Sequence, residues 1–153
     1  MLSELRKTNK NLYETDYNLW ALETATKLKS QDLDGLDWDN LIEEVEDLSR
    51  RDKRRMESLL MKLIGYLLIL RYWQIEKERN RGHWEREIFN YRKQINRLLM
   101  DSPSLNNYLA SEFNACYMGG RKMVSKHSQL PLSTFPEKPI ATIEQVLDED
   151  WLP

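Results

Sequence analysis

The sequence has little of what covalent or metal cross-linking requires. It contains one cysteine and two histidines in 153 residues. Cys116 therefore has no second cysteine with which to form an intrachain disulfide. The same numbers are too small for the Cys/His patterns of structural zinc sites. We expect a fold that is held together by side-chain packing, with no metal and no cofactor.

Turn-forming residues are also scarce, since glycine and proline number five each. So few of them cannot divide a chain of this length into many strands. Hydrophobic residues make up 41% and charged residues 31% of the sequence. That balance suits amphipathic helices better than a sheet buried on both faces. The length predicts a single domain, and the composition predicts that it is all-α.

No hydrophobic run is long enough to cross a membrane. The most apolar stretch, residues 59–70, is twelve residues long and contains Lys62 and Gly65. A transmembrane helix needs about 20 apolar residues, so this stretch is interpreted as a buried helix. Residues 1–10 lack the apolar segment of a signal peptide. We therefore expect a cytoplasmic protein with no membrane partner.

The net charge of −2 hides a strong asymmetry along the chain. Residues 50–126 carry 17 basic and 8 acidic side chains, a balance of +9, whereas the two ends together carry 6 and 17, a balance of −11. Either the acidic ends fold onto the basic middle, or the middle presents a basic face to an anionic partner. A basic face that the acidic tail leaves open would favour nucleic acid.

Helical spacing of apolar residues predicts a first helix that begins near Asp16. Tyr17, Trp20, Thr24 and Leu28 follow at spacings of three and four, which place them on one helical face. The Asp16 carboxylate can accept from the free N–H groups of the first turn, so Asp16 is predicted to be the N-cap.

A second, long helix is predicted from Trp38 to about Glu76, with Asp37 as its N-cap. It would be about 58 Å long at 1.5 Å per residue, which exceeds the width of a domain of this size. We therefore expect a kink near residues 49–52 or at Gly65. The apolar stripe assigned to the core, which Asp52 interrupts, consists of Leu41, Val45, Leu48, Met56, Leu59, Leu63, Leu67 and Leu70.

Two further helices are predicted after a charged turn at residues 76–82. The third helix begins near His83, and Ser102 followed by Pro103 is a strong signal for the start of the fourth. The glycine pair at 119–120 either ends or bends the fourth helix, or the helix continues through it.

The tail, residues 128–153, contains prolines that exclude a long helix. Thr142 and Gln145 match a capping box and predict one short helix. The tail also carries too many apolar residues to be free, so we expect it to wrap along the helices. The predicted fold is an all-α, four-helix bundle-like single domain over residues 1–153, with residues 1–12 frayed and the tail packed on the bundle.

Carboxylates crowd the start of the long helix and form a candidate acidic face of Glu43, Glu44 and Asp47. Clustered carboxylates can bind metal in helical bundles, but that chemistry adds a Glu-x-x-His motif that this chain lacks. We interpret the cluster as a salt-paired surface, with Glu44 partly buried against an arginine of a neighbouring helix. No phosphate loop, nucleophile elbow or Cys-x-x-Cys motif is present, so no catalytic residue is predicted.

Basic residues follow directly and form a candidate anion or nucleic-acid face. Basic helices can track phosphates, although runs of four or five basic residues are also ordinary protein surface. Aromatic residues are interleaved with this region, but most lie at core spacing and are interpreted as packing. The face is predicted to comprise Arg50, Arg51, Lys53, Arg54, Arg55 and Arg92.

Four motifs in order resemble one family. They are residues 13–17 with Trp20, residues 37–48, residues 101–105, and the pair 135–137 and 147–153. Together they resemble the "domain of unknown function 29" proteins, which are abundant in cyanobacteria. The resemblance implies an all-helical fold and no established activity.

The chain departs from that family pattern at one place. The family tends to carry His-Leu-Leu-Lys in the apolar part of the long helix, where this chain has Tyr66, Leu67, Leu68 and Ile69. If the histidine and lysine perform chemistry in other members, this member has lost it; if they only pack, nothing changes.

Three hypotheses for function follow. The first is a non-enzymatic module that acts through protein–protein contacts, including self-association. The second is a nucleic-acid-binding protein that uses the basic face. The third is a carboxylate-based metal protein or enzyme that uses the acidic face.

Overall fold

The computed structural model describes residues 12–153. All regular secondary structure in this range is helical, which confirms the all-α prediction. Residues 12–15 are helical and precede the longer elements. These are α1 (Tyr17–Lys29), α2 (Trp38–Tyr72), α3 (Gln74–Asp101), α4 (Leu105–Ser128), a 3-10 turn (Leu132–Thr134) and α5 (Ile143–Leu147). The frayed start expected at residues 1–12 lies outside the described residues, apart from Leu12.

The predicted cap of α1 is confirmed. The Asp16 carboxylate accepts a hydrogen bond from the backbone N–H of Leu19 at 3.0 Å. This bond satisfies one of the N–H groups that the first helical turn leaves without an intrahelical partner.

The long helix α2 contains 35 residues and continues without interruption through residues 49–52 and Gly65. Its length is about 52 Å. Gly65 serves packing, since a Cβ atom there would lie 2.9 Å from Cγ1 of Val124 in α4. A close approach between two helices, and not a break, explains the glycine at this position.

The turn predicted at residues 76–82 is wrong, because α3 begins at Gln74 and runs through the whole segment. The break lies at Trp73, whose ring stacks on Trp84 at 5.7 Å. Charged residues are good helix formers, and pairs four apart such as Arg81 with Glu85 support the helix. Gly82 is surrounded by open space, so its cost to the helix is only about 1 kcal/mol.

Helix α4 begins two residues later than the Ser102–Pro103 signal predicts. The N–H groups of Leu105 and Asn106 donate to the carbonyls of Ser102 and Pro103, so a tight turn precedes the helix. The helix then passes through Gly119 and Gly120 and ends at Ser128. Of the two alternatives for the glycine pair, continuation is the one observed.

The chain forms two compact units, residues 1–50 and residues 51–153. The described part of the first unit contains α1, a loop and the first turns of α2, with Trp20 and Leu36 buried. The second contains the rest of α2, α3, α4 and the tail. That the whole chain folds as a single domain stays a prediction.

The tail packs on the helices of the second unit, as predicted. Phe135 and Val146 are buried in the core of that unit. Two buried arginines hold the tail backbone. Arg121 donates from Nε to the carbonyl of Phe135, and Arg92 donates from Nε to the carbonyl of Val146, each at 2.7 Å. The predicted capping box of Thr142 opens α5.

Candidate functional site

Glu44 lies half-buried at the start of α2, where it accepts two hydrogen bonds from tyrosine hydroxyls. The donors are Tyr13 and Tyr17, each at 2.6 Å. The hydrogen bond to Glu44 stabilises the neutral phenol and raises the pKa of Tyr13 to about 12. The carboxylate thus anchors the residues before α1 and the first turn of α1 to α2 within the first unit.

The other two acids of the candidate acidic face, Glu43 and Asp47, pair with Arg50, as does the neighbouring Glu46. The Arg50 guanidinium lies 3.0 Å from both Glu43 and Glu46 and 3.6 Å from Asp47. These carboxylates raise the pKa of Arg50, the hydrogen bond to Glu43 most of all. Water screens exposed pairs of this kind, so they neutralise charge more than they stabilise the helix. Among residues 12–153, no three His, Cys, Asp or Glu side chains are grouped as metal ligands.

Next to the acids, an apolar stripe on α2 lies open to solvent. Ile42, Val45 and Leu48 are 52%, 59% and 58% exposed. We call these three residues the α2 stripe. The core assignment of Val45 and Leu48 from sequence is therefore wrong. Helical spacing indicates that a face will be covered, but not whether this chain or a partner covers it.

The exposure of the α2 stripe belongs to a wider pattern in the first unit. Residues 12–50 expose nine large hydrophobic side chains, against seven in the much longer 51–153 segment. Residues 12–50 also carry 11 acidic and 3 basic side chains. The described part of the first unit is thus both strongly acidic and rich in exposed apolar side chains.

Only some of the residues predicted for the candidate basic face are exposed on α2. Arg51, Lys53, Arg54 and Arg55 are exposed on α2, and Lys53 lies over the Tyr108 ring at 5.2 Å. Arg92 is 1% exposed and donates to carbonyls of the tail, so it does not belong to this face. The sequence did not predict the hydrogen bonds of Arg92, because the carbonyl groups that accept them lie more than 50 residues away along the chain.

The single cysteine and two of the tryptophans lie in packed surroundings that indicate a structural role. Cys116 is buried, and burial raises the pKa of its thiol to about 11, so the reactive thiolate is scarce. Among the aromatic residues interleaved with the basic region, Trp84 is buried and Trp73 half-buried, which agrees with the interpretation of those aromatic residues as packing. No helix in the described part of the chain is long and apolar enough to cross a membrane.

Comparison with known proteins places the chain in a family. The model of "Domain of unknown function DUF29" matches residues 12–152. The chain belongs to this family. No curated protein and no solved structure matches it. At the two positions where the resemblance implies a histidine and a lysine, Tyr66 is half-buried and stacks on Tyr91 at 5.8 Å, and Ile69 is buried.

Proposed function

We propose that this protein is a protein–protein interaction module whose docking face is centred on the α2 stripe. The observation that carries the proposal is the exposure of Ile42, Val45 and Leu48, three apolar side chains at helical spacing of which more than half of each remains in contact with water. An amphipathic helix that leaves its apolar face open matches a common mode of recognition, in which such a face packs into an apolar groove.

The charge around the α2 stripe indicates the chemistry of the partner. Glu43, Glu46 and Asp47 alternate with the stripe, and Arg50 lies within ion-pair distance of all three. With 11 acids and 3 bases in residues 12–50, a partner with an apolar centre and basic rim would be attracted and correctly oriented. A second copy of the chain offers basic residues as well, since residues 51–126 carry 16 basic and 8 acidic side chains.

The α2 stripe alone would give only weak binding. Each of its side chains is already about half buried, so covering the rest contributes about 1 kcal/mol per residue. Micromolar affinity corresponds to about 8 kcal/mol. A partner must therefore cover further surface, and the exposed Leu19 and Leu22 of α1 are apolar residues of the same unit.

The test compares two sets of substitutions. Ile42→Ser, Val45→Ser and Leu48→Ser together remove the α2 stripe, whereas Ile75→Ser with Met100→Ser removes two highly exposed apolar residues of the second unit. Pull-down from nuclease-treated lysate of the native host, with mass spectrometry, identifies partners; sedimentation velocity measures self-association. We expect the stripe variant to lose the complex and the control pair to retain it.

Persistence of the complex in the stripe variant would overturn the proposal. A complex that survives the triple substitution, in a protein shown by circular dichroism to be folded, places the interface elsewhere. Rising salt should weaken the complex, because part of the attraction is between opposite charges that salt screens. A complex that is insensitive to salt would contradict the basic-partner component.

A second candidate function is nucleic-acid binding through Arg51, Lys53, Arg54 and Arg55, which lie exposed on α2. The side chains of α3 and α4 that donate to tail carbonyls are Arg92, Tyr117, Arg121 and Ser125. That arrangement supports an open basic segment. Against it, the acid-rich turns of the same helix precede the segment and repel phosphate.

This alternative is tested by fluorescence anisotropy of labelled single-stranded RNA and duplex DNA. Lys53→Gln with Arg55→Gln should weaken binding and reduce its salt slope if the basic segment tracks phosphates. Lys126→Gln, an exposed lysine of α4, is the matched control. Absence of salt-dependent binding by the unmodified protein excludes the alternative.

A further inference from the structure

A cavity of about 230 Å³ lies among the three long helices of the second unit. Helix α2 contributes Gly65, Tyr66 and Ile69, and α3 contributes Tyr91. Helix α4 contributes Val124, next to Met123 and close to the helix end. Because all three helices supply part of the wall, the cavity is a feature of the packed unit and not of one surface loop.

The glycine at position 65 shapes the wall. A Cβ atom there would lie 2.9 Å from Cγ1 of Val124 and 3.1 Å from Cε of Met123. The bare backbone therefore lets α2 and α4 approach closely while leaving room beside them. Elsewhere in the wall, Tyr66 and Tyr91 stack with ring centroids 5.8 Å apart and planes 28° apart. The cavity thus has an aromatic side and an aliphatic side, both suited to an apolar ligand.

Four polar side chains also border the cavity: Lys62, Tyr66, Tyr91 and His127. Within residues 12–153, none of their polar atoms forms a hydrogen bond or an ion pair. Lys62 and His127 are exposed, and the two tyrosines are half-buried. A mostly apolar cavity with a few convergent polar groups that lack protein partners is the usual form of a small-molecule site.

The lysine of the lining points to an anion. The lining contains a lysine and a histidine and no carboxylate. Burial raises the pKa of Tyr66 and of Tyr91, so both hydroxyls stay neutral and able to donate. Glu87 adds to both shifts, and so places negative charge near the tyrosines. A ligand carboxylate is therefore better accommodated by Lys62 and His127 than beside the two hydroxyls.

We propose that this cavity binds a small aromatic monocarboxylate, with its ring against Tyr66, Tyr91 and Ile69 and its carboxylate at Lys62 and His127. Pockets for drug-sized ligands span about 300–1,000 Å³, so this smaller cavity suits a ligand with one ring. The site lies wholly in the second unit and is independent of the α2 stripe, so either proposal can fail without the other.

The probe is phenylacetate, and phenylacetamide is the neutral analogue of the same shape. Methyl NMR spectra of the full chain report on Ile69, Val124 and Met123, whose methyl groups border the cavity. We expect phenylacetate to shift these signals in a saturable way, with a Kd of about 1 mM or tighter. Phenylacetamide should bind at least about fivefold more weakly, because it cannot pair with the two basic side chains.

Three variants locate the site. Lys62→Gln should weaken phenylacetate binding about fivefold, the effect of one exposed ion pair. Lys122→Gln, an exposed lysine of α4 outside the cavity, should leave it unchanged. Met123→Trp fills the cavity from a residue that is 36% exposed, so it should abolish binding without unfolding the core.

Each failure overturns a stated part of the proposal. Without saturable shifts from phenylacetate, the cavity is not a carboxylate site. Equal affinity for phenylacetamide removes the role of Lys62 and His127. Binding that persists in folded Met123→Trp protein, with unchanged thermal unfolding, places the ligand elsewhere.

Discussion

Residues 12–50 and residues 51–153 differ in how far each segment buries its own side chains. The second segment contributes 19 buried residues to one hydrophobic cluster, whereas the first buries two hydrophobic residues, Trp20 and Leu36. Buried polar atoms follow the same division. The three that lack a hydrogen bond among the described residues, Nε1 of Trp20, Oγ1 of Thr24 and Oδ1 of Asp37, all lie in the first segment.

This difference indicates which unit is the more stable, and it is consistent with the docking face that we propose for the first unit. A large core with paired polar groups is stable by itself, whereas a segment with a small core and an open apolar stripe gains most when a partner covers it. We therefore expect the first unit to have the lower local stability, with faster amide hydrogen exchange in α1 than in the buried turns of α2, and to gain protection on binding.

The largest expected effect concerns the tail on the second unit. Phe135 is fully buried, and its ring meets the Tyr72 ring edge-on at 6.3 Å. Phe135→Ala should lower the free energy of unfolding by about 3–5 kcal/mol, through lost burial and the cavity left behind. Urea denaturation measures the change. Leu132→Ala, at a neighbouring position that is 37% exposed, should cost under about 1 kcal/mol; equal effects would contradict the tail's place in the core.

A smaller loss is expected from the buried arginine that holds α5. Arg92→Met keeps the length of the side chain but removes the donor to the carbonyl of Val146. Leaving a buried acceptor unpaired costs about 1–3 kcal/mol. Hydrogen exchange should show faster exchange in residues 143–147 while α1 is unaffected. The control is Arg86→Met, at an exposed position of the same helix. It should change neither the free energy of unfolding nor the hydrogen exchange of residues 143–147.

In the first unit a substitution of a polar residue should instead stabilise. The Thr24 hydroxyl is buried without a partner among the described residues, so Thr24→Val, which has nearly the same shape, removes a desolvated polar group. We expect a gain of about 1 kcal/mol in thermal or urea unfolding. The counterpart in the second unit is Ser128→Ala, which removes a hydroxyl that donates to the carbonyl of Val124 at 2.6 Å, and should destabilise. If both variants were less stable than the unmodified protein, the two units would not differ in how well their buried hydroxyls are hydrogen-bonded.

The smallest effect compares two tyrosine–carboxylate pairs. Hydrogen bonds raise the pKa of Tyr13 to about 12 through Glu44, and that of Tyr108 to about 12 through Glu57. The folded pKa lies above the unfolded value of about 10. Each pair therefore contributes stability below pH 10 that is lost as the pH rises from about 10 to 12.

Glu44→Gln should lower the pKa of Tyr13 toward 10 and leave that of Tyr108 unchanged, and Glu57→Gln should do the reverse. Both are read from the Cζ signals of the tyrosines in a carbon-13 NMR titration. If one substitution shifts the pKa of both tyrosines, the two pairs are not independent.

Much of the fold could be predicted because its signals are local. The Asp16 cap, the Thr142 capping box and the helix spacing all depend on residues within a few positions of one another. The wrapping tail followed from its apolar content. Two local signals misled: the charged segment 76–82 continues a helix, and Ser102 with Pro103 precedes the helix start at Leu105 by a turn.

The candidate sites could be predicted less well. The acidic and basic residues of α2 were found because they lie together in sequence, but Glu44 accepts from two tyrosines and Arg92 is buried under the tail. The cavity of the second unit could not be predicted, even though Tyr66 and Ile69 depart from the pattern that the resemblance implies, because its walls come from three helices.

By itself, the sequence determined that this protein is helical, where the side-chain caps of α1 and α5 lie and how its charge is distributed, because those properties depend on neighbouring residues and on composition. Only the tertiary structure decided which apolar residues face water, which arginines are buried and which side chains border a common cavity. Those outcomes depend on contacts between residues far apart in the chain, and the periodicity of a single helix is the same whether its apolar face meets its own core or is left for a partner.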